Sequence, residues 1–116
     1  MPIGLLEKRN ETPKQLERLL NDIANQIFNR CKNVEIRVFG SAFRADRRVG
    51  SDIDVCVIFK NDAAIIRGRT ALYESPLCDE ALDLVLLSRN EYDRMKNVGG
   101  IAFEVFHHGR KIEPQT

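Results

Sequence analysis

The chain has 116 residues and a formal net charge of +1, with 43% hydrophobic and 30% charged residues. This length suits one compact domain with one hydrophobic core, so we expect residues 1–116 to form a single domain. A charge this close to zero gives no global electrostatic reason to expect nucleic-acid binding. The longest apolar runs, such as Val55–Phe59 and Leu84–Leu87, are far too short to cross a bilayer, which argues against a membrane protein.

The amino-terminal segment and the cysteines indicate a cytoplasmic protein. The first residues, MPIGLLEKRNETPK, lack the charged-then-apolar order of a signal peptide. Cys31, Cys56 and Cys78 are odd in number and form no CxxC pair. Separate thiols in a reducing compartment fit this pattern better than a disulfide framework or a zinc site. His107 and His108 are adjacent, so their side chains diverge on any regular element and do not indicate a paired metal site.

The first predicted elements are a helix and a strand. Thr12 can serve as N-cap, Pro13 fits the first helical position, and Gln15 can complete a capping box. Apolar residues then recur at helical spacing to about residue 30. Residues 34–39, VEIRVF, alternate in the manner of a strand, which we expect to end at Gly40.

The middle of the chain predicts two further strands and a helix between them. A short helix can follow from Ser41 to about residue 46, before a second strand at about 52–59. Asn61 or Asp62 caps a helix to about residue 73, closed by Ser75-Pro76. Residues 81–87, ALDLVLL, fit helix or strand by periodicity, and their shortness between turn residues favours a third strand.

The last third of the chain predicts two helices. One begins at Ser88 or Asn90 and ends before Gly99-Gly100, and another covers about 101–106, leaving a short tail, RKIEP. The resulting order is α-β-α-β-α-β-α-α. It predicts an α/β (α+β) protein with a small mixed central sheet of three to five strands flanked by helices.

Two aspartates stand one residue apart at the start of the second strand. Because side chains alternate along a strand, Asp52, Asp54, Cys56 and Ile58 share one face. The two acids are then roughly 6.5–7 Å apart along the strand, where like charges repel, and partial burial increases the cost. Solvent, a bound cation or protonation of one acid has to offset this repulsion.

A third acid, Asp83, lies within the apolar run at 81–87. An Asp-x-Asp pair alone is typical of a solvated turn, but a carboxylate buried in such a run without a partner is expensive. If the run forms a strand beside the second strand, Asp83 can join Asp52 and Asp54 on the same face. Three converging carboxylates suit a hard cation such as Mg²⁺ or Mn²⁺.

Phosphate-binding features precede the two aspartates. Gly40 lets the backbone approach a ligand closely, Ser41 offers a hydroxyl, and a following helix would present N–H groups to an anion. Four arginines also cluster before the aspartates: Arg37, Arg44, Arg47 and Arg48. They indicate either a solvated loop or a group of arginine side chains that faces the phosphates of a ligand.

These residues resemble a known signature. Gly40-Ser41, ten intervening residues and Asp52-Ile53-Asp54 match the GS-x₁₀-D-x-D pattern of the DNA polymerase β-like nucleotidyltransferase superfamily, and Asp83 is similar to its third acid. The stretch FGSAFRADRRVGSDIDVCVIF most resembles the minimal nucleotidyltransferases, many of which are encoded beside a HEPN-domain partner as toxin–antitoxin pairs. Members often carry Arg-Gly after Gly-Ser-x-x, whereas this chain has Arg44-Ala45, a departure in loop shape.

The resemblance implies a nucleotidyltransferase of the EC 2.7.7 type and a role for each motif residue. Asp52 and Asp54 would bind two Mg²⁺ ions that bridge a nucleoside triphosphate. Asp83 would help ligate the catalytic metal and orient or deprotonate the acceptor hydroxyl. Gly40 and Ser41 would hold the outgoing phosphates.

Two further residues are candidates for nucleotide binding. Arg44 would add positive charge, and Ser51, which precedes the first aspartate, would support the loop. The segment after Asp83 is too short for the additional helical domain of larger relatives, so we expect the site to be completed by a HEPN-domain protein or by self-association.

The expected reaction is the transfer of AMP from ATP to a hydroxyl of a partner protein, with the chain acting as an antitoxin. Two alternatives remain open at this point. One is a non-catalytic antitoxin that neutralises its partner by contact, although the presence of all three acids argues against it. The other is transfer to a small molecule such as an aminoglycoside.

Overall fold

The computed structural model describes residues 12–43, 52–74 and 82–114. These residues form four α-helices, four strands and one 3₁₀ turn. In chain order they are α1 (Pro13–Arg30), β1 (Glu35–Phe39), the 3₁₀ turn (Gly40–Phe43), β2 (Ile53–Phe59), α2 (Asp62–Tyr73), β3 (Leu82–Ser88), α3 (Arg89–Met95), α4 (Gly100–His108) and β4 (Arg110–Ile112). Within the described part of the chain, none of the helices is long and apolar enough to span a membrane.

The sheet is mixed, with the strand order β3-β2-β1-β4. β2 and β3 are parallel, whereas β1 pairs antiparallel with both β2 and β4. Since α2 connects the two parallel strands, this part of the chain forms a βαβ unit. The prediction of an α+β fold with a small mixed sheet and flanking helices is confirmed.

Side-chain alternation along the central strands gives the sheet two different faces. The odd-numbered residues of β2, such as Val55 and Val57, are fully buried against α1 and α2. The even-numbered residues Cys56 and Ile58 pack against Tyr92 of α3 and against α4. We call these the α1/α2 face and the α3/α4 face. Complete burial of each aliphatic side chain in such a core contributes about 1.5–3 kcal/mol.

The helix starts follow the capping residues predicted from the sequence. At α1, the Thr12 side chain accepts a hydrogen bond from the Gln15 amide at 3.1 Å, and the Gln15 side chain accepts one from the Thr12 amide at 2.9 Å. Asn61 caps α2 and Ser88 caps α3 in the same way, through the amides three residues on. Each such cap stabilises its helix by about 1 kcal/mol.

The main difference from the predicted elements is β4. The segment after Gly109 was expected to be a short tail, but Arg110–Ile112 pairs with β1, with Ile112 opposite Ile36. The strand has only three residues, and its one buried side chain, Ile112, joins the α1/α2 core. A strand of three residues is too short to show the alternation of apolar and polar side chains that identifies a strand in a sequence. Its pairing also depends on the edge of β1, which is remote in sequence.

Two smaller predictions fall partly or wholly outside the described residues. The short helix expected from Ser41 is a 3₁₀ turn over Gly40–Phe43, and residues 44–51 are outside the described part. Ser75-Pro76, expected to close α2, also lies outside it.

Candidate active site

The parallel pairing of β2 and β3 brings two of the predicted acids together. Asp54 is the Cα partner of Asp83, and both belong to the α3/α4 face. Their carboxyl groups are close enough to share a hydrogen bond. Asp52 lies one residue before β2, is exposed, and is near enough for its charge to act on Asp54. Asp54 and Asp83 therefore lie side by side where β2 and β3 begin, with Asp52 near Asp54, in a region that we call the carboxylate edge.

Gly40 and Ser41 border the carboxylate edge because β1 ends beside the start of β2. Phe39 is the partner of Asp54 in the antiparallel ladder, and Gly40 follows with φ +69°. The positive φ favours glycine here, and a Cβ atom on Gly40 would force the Asp54 carboxylate to shift, because it would meet Oδ2 of that side chain. The backbone N–H of Ser41 donates a hydrogen bond to the Asp54 carboxylate. The Ser41 hydroxyl donates to the Asp52 carbonyl oxygen at 3.4 Å.

The electrostatics of the carboxylate edge are unfavourable for an ionised Asp54. Burial raises the pKa of its carboxyl above the ordinary value of 3.8, and the negative charges of Asp83 and Asp52 raise it further. A hydrogen bond to Asp83 also favours the protonated form, whereas the Ser41 N–H favours the ionised form and opposes the shift. The net effect is upward, so proton binding partly relieves the repulsion between the acids.

The three acids do not form a ready-made cage for a metal. Among the residues that the structure describes, no three His, Cys, Asp or Glu side chains are arranged so that they could hold a metal ion together. The chemistry of the donors nevertheless suits a hard cation, because Asp54 and Asp83 offer paired carboxylate oxygens and the repulsion between them is what a cation would relieve. Asp52 and Asp83 are exposed, so their side chains can turn toward such an ion.

Arg37 fits neither of the two alternatives for the arginine cluster, a solvated loop or a phosphate-facing set, because it lies on β1 and forms an ion pair with Glu35. Arg37 donates a hydrogen bond to Glu35 at 2.6 Å, and its guanidinium lies 6.0 Å from the centres of the Tyr92 and Phe106 rings. Its charge is therefore neutralised on the α3/α4 face rather than directed at the carboxylate edge. The other candidates lie outside the described residues: Arg44, Arg47, Arg48 and Ser51.

Glu35, which no sequence motif indicated, joins two arginines on the α3/α4 face. It accepts hydrogen bonds from Arg37 and, at 2.7 Å, from Arg89 on α3. Burial raises the pKa of the Glu35 carboxyl, but these two guanidinium groups outweigh it and hold the pKa below its ordinary value. Glu35 and Arg37 are two residues apart on a strand, and this spacing was visible as a same-face pair of opposite charges. The contact with Arg89, which is 54 residues away in sequence, was not.

The described residues form a small α+β domain with acidic side chains gathered at one end of its mixed sheet. Residues 16–111 match the family model described as "Nucleotidyltransferase domain", a match that covers most of the chain, and the chain belongs to that family. Its four-stranded mixed sheet and flanking helices are consistent with the polymerase β-like nucleotidyltransferase fold. No curated protein gave a significant match.

Proposed function

We propose that the chain acts as a single, Mg²⁺-dependent nucleotidyltransferase domain that transfers AMP from ATP to a hydroxyl group of a partner protein. The observation that carries this proposal is the meeting of Asp54 and Asp83 in adjacent parallel strands, directly beside Gly40 and the Ser41 amide. Membership of the nucleotidyltransferase family supports the reaction type. The GS-x₁₀-D-x-D spacing supports the choice of residues.

In this proposal the residues of the carboxylate edge have separate tasks. Asp52, Asp54 and Asp83 would hold two Mg²⁺ ions, which supply charge neutralisation on the phosphate oxygens when bound. Gly40 and Ser41 would hold the outgoing phosphates. The missing side chain of Gly40 also leaves space for the Asp54 carboxylate, which the Ser41 backbone N–H orients. Arg44 and Ser51, which precede β2 in the sequence, are proposed as further nucleotide contacts.

The group transfer conserves atoms and charge. The oxygen of the acceptor hydroxyl forms a bond to the α-phosphorus, and the bond from that phosphorus to the bridging oxygen breaks, releasing pyrophosphate. Asp83, which is exposed, accepts the hydroxyl proton and passes it to solvent. Holding the acceptor oxygen in line with the leaving group supplies much of the rate enhancement.

The partner follows from the resemblance to minimal nucleotidyltransferases. We propose that the acceptor is a HEPN-domain toxin and that the chain is its antitoxin. A second copy of this chain is the other candidate acceptor. The experiment is to incubate the protein with α-labelled ATP, Mg²⁺ and, in separate reactions, a HEPN-domain protein, no partner, or an aminoglycoside. The acceptor that carries the label identifies the substrate class.

Variants of the acids distinguish an enzyme from a binding protein. Asp52→Ala and Asp54→Ala are expected to abolish labelling, whereas Asp62→Asn, which changes an exposed acid on α2, is expected to preserve it. If wild-type protein transfers no label to any acceptor while partner binding survives both alanine substitutions, the chain neutralises its partner by contact, and the proposed reaction is wrong.

A further inference from the structure

A concave region lies at the end of the sheet opposite the carboxylate edge. It has a volume of about 220 Å³ and is bordered by the end of α1, the end of β2 and one side of α2. Phe59 in its wall is five residues beyond Asp54 on β2, which separates the two ends by roughly 16 Å. A small ligand bound here is therefore out of reach of the three acids. We call this region the basic pocket.

The charge of the basic pocket is one-sided. Four of its lining residues are cationic, and no aspartate or glutamate lines it. The cations are Arg30, Lys32, Lys60 and Arg67. The whole chain carries 18 Lys and Arg against 17 Asp and Glu, so this is a local concentration rather than a reflection of composition. Within the described part of the chain, the side chains of Lys32, Lys60 and Arg67 make no hydrogen bond or ion pair, which leaves their side-chain donors available to an anion.

The local structure shapes the pocket and adds to its positive potential. A Cβ atom on Gly68 would collide with the Phe59 ring, so glycine allows α2 to pack directly against the end of β2 and form the pocket floor. Lys60 precedes α2 and Ala64 lies in its first turn, so the amino end of this 12-residue helix borders the pocket. The dipole of a helix favours an anion at its amino end.

We propose that the basic pocket binds a small polyphosphate anion, such as inorganic triphosphate or the phosphate chain of a nucleotide, as a second site separate from the carboxylate edge. Its volume is below the 300 Å³ or so of ordinary ligand pockets, so it receives a short phosphate chain rather than a whole drug-sized molecule. A nucleic-acid strand is less well suited, because strand binding uses exposed aromatic platforms, and the aromatic residue of the pocket, Phe59, is only 3% exposed.

The test is a titration of the ¹⁵N-labelled protein with inorganic triphosphate in the presence of EDTA, so that no divalent cation can recruit phosphate to the acids. Amide shifts are expected at Lys60, Ala64 and Gly68 and not at Ser41 or Asp54. Lys60→Glu and Arg67→Glu are each expected to weaken binding at least about tenfold, since each removes a charge-assisted hydrogen bond. Arg69→Glu is the matched control, because Arg69 is exposed on the same helix but does not line the pocket.

The outcomes separate this proposal from its rivals. Loss of binding in the two pocket variants, with little change in Arg69→Glu, supports it. An equal loss in all three would mean a general charge effect and would overturn it, as would the absence of binding at millimolar triphosphate. A single-stranded RNA oligonucleotide that binds through Lys60 and Arg67 more tightly than triphosphate would overturn the assignment to a small anion. Each result is independent of nucleotidyl transfer, because no metal is present.

Discussion

The two ends of β2 carry opposite charges: acidic side chains lie at its start and cationic side chains lie around its end. At the start of the strand, Asp54 lies beside two other acids, and the Ser41 N–H offsets only part of their repulsion. At the other end, Phe59 is buried beneath α2, and cationic side chains surround the concave surface next to it. The residues between them are fully buried and apolar.

This difference shows how a small sheet can carry opposed charges without losing its core. The buried middle of β2 stabilises the strand and fixes the distance between its two ends. The polar groups at those ends can therefore be arranged for binding rather than for stability. An acid that is poorly stabilised in the folded protein is typical of a site that acquires a cation or proton during function.

The largest expected effect is on transfer activity at the acidic end. Asp54→Asn keeps the size of the side chain but removes its charge, and we expect the rate of nucleotidyl transfer to fall about a thousandfold. The free energy of unfolding at pH 7 should not fall, because the substitution removes repulsion from Asp83 and Asp52. Labelling assays and urea denaturation measure the two effects. A large loss of stability would show that Asp54 is a structural residue.

At the opposite end, the expected effect is on stability. Gly68→Ala would force a methyl group against the buried Phe59 ring, and we expect a loss of about 2 kcal/mol in the free energy of unfolding. Gly99→Ala is the control, because nothing lies within 4 Å of a Cβ atom there. Equal unfolding midpoints for the two variants would contradict the close packing of α2 on β2.

A comparison of Gly40→Ala with Gly100→Ala distinguishes the effect of backbone strain from the effect of crowding Asp54. Gly40 and Gly100 both have positive φ, so alanine at either position should cost about 1–2 kcal/mol of stability. Only at Gly40 does the new Cβ atom meet Asp54. We therefore expect similar thermal denaturation for the two variants but a loss of transfer activity in Gly40→Ala alone. Comparable activity in both would mean that the distance between Gly40 and Asp54 is unimportant.

The smallest expected effect is the contribution of Asp54 to the pH dependence of the free energy of unfolding. Its pKa is raised in the folded protein, so the folded state binds this proton more tightly than the unfolded state. The stabilisation that this proton binding gives is fully present when the pH is below 3.8, the ordinary pKa of the group. It is lost as the pH rises through the raised pKa of the folded protein. Asp54→Asn should remove this part of the decline, which begins near the ordinary value of 3.8 and ends above the raised pKa. Partial exposure of the group keeps the effect small.

The measurement for this last effect is urea denaturation of the two proteins across the same pH range. The opposite sign is expected for Glu35, whose pKa is lowered by Arg89 and Arg37, so its contribution is lost as the pH falls. Glu35→Gln therefore serves as a control with the reverse slope. Parallel pH profiles for wild type and Asp54→Asn would contradict the described environment of Asp54.

Much of the fold was predictable because the signals were local. The capping box at Thr12, the alternation in β2 and the shortness of the apolar run around Asp83 were sufficient to predict three strands and most helix boundaries. The face shared by Asp54, Cys56 and Ile58 followed from strand geometry alone. What could not be predicted were features set by residues remote in sequence, such as the pairing of β4 with β1 and the ion pair between Glu35 and Arg89.

For the candidate site, too, the sequence predicted which strands carry the acids but not how the strands are aligned. Spacing alone put Asp52 and Asp54 at the start of one strand, and the β-strand interpretation of residues 81–87 made Asp83 their neighbour. The register that pairs Asp54 with Asp83, and the donation from the Ser41 amide, depend on the parallel ladder and on the close approach of β1. Sequence periodicity does not encode either of these.

The position of β3 in the strand order has a consequence for how activity would be lost on heating. Among the described strands, β3 is at one edge and is hydrogen-bonded to β2 alone, whereas Asp54 is on an interior strand. Local fraying of this outermost ladder would separate Asp83 from Asp54 while β1, β2 and β4 stay paired. Amide hydrogen exchange should therefore be faster around Asp83 than around Asp54, and inactivation should precede global unfolding.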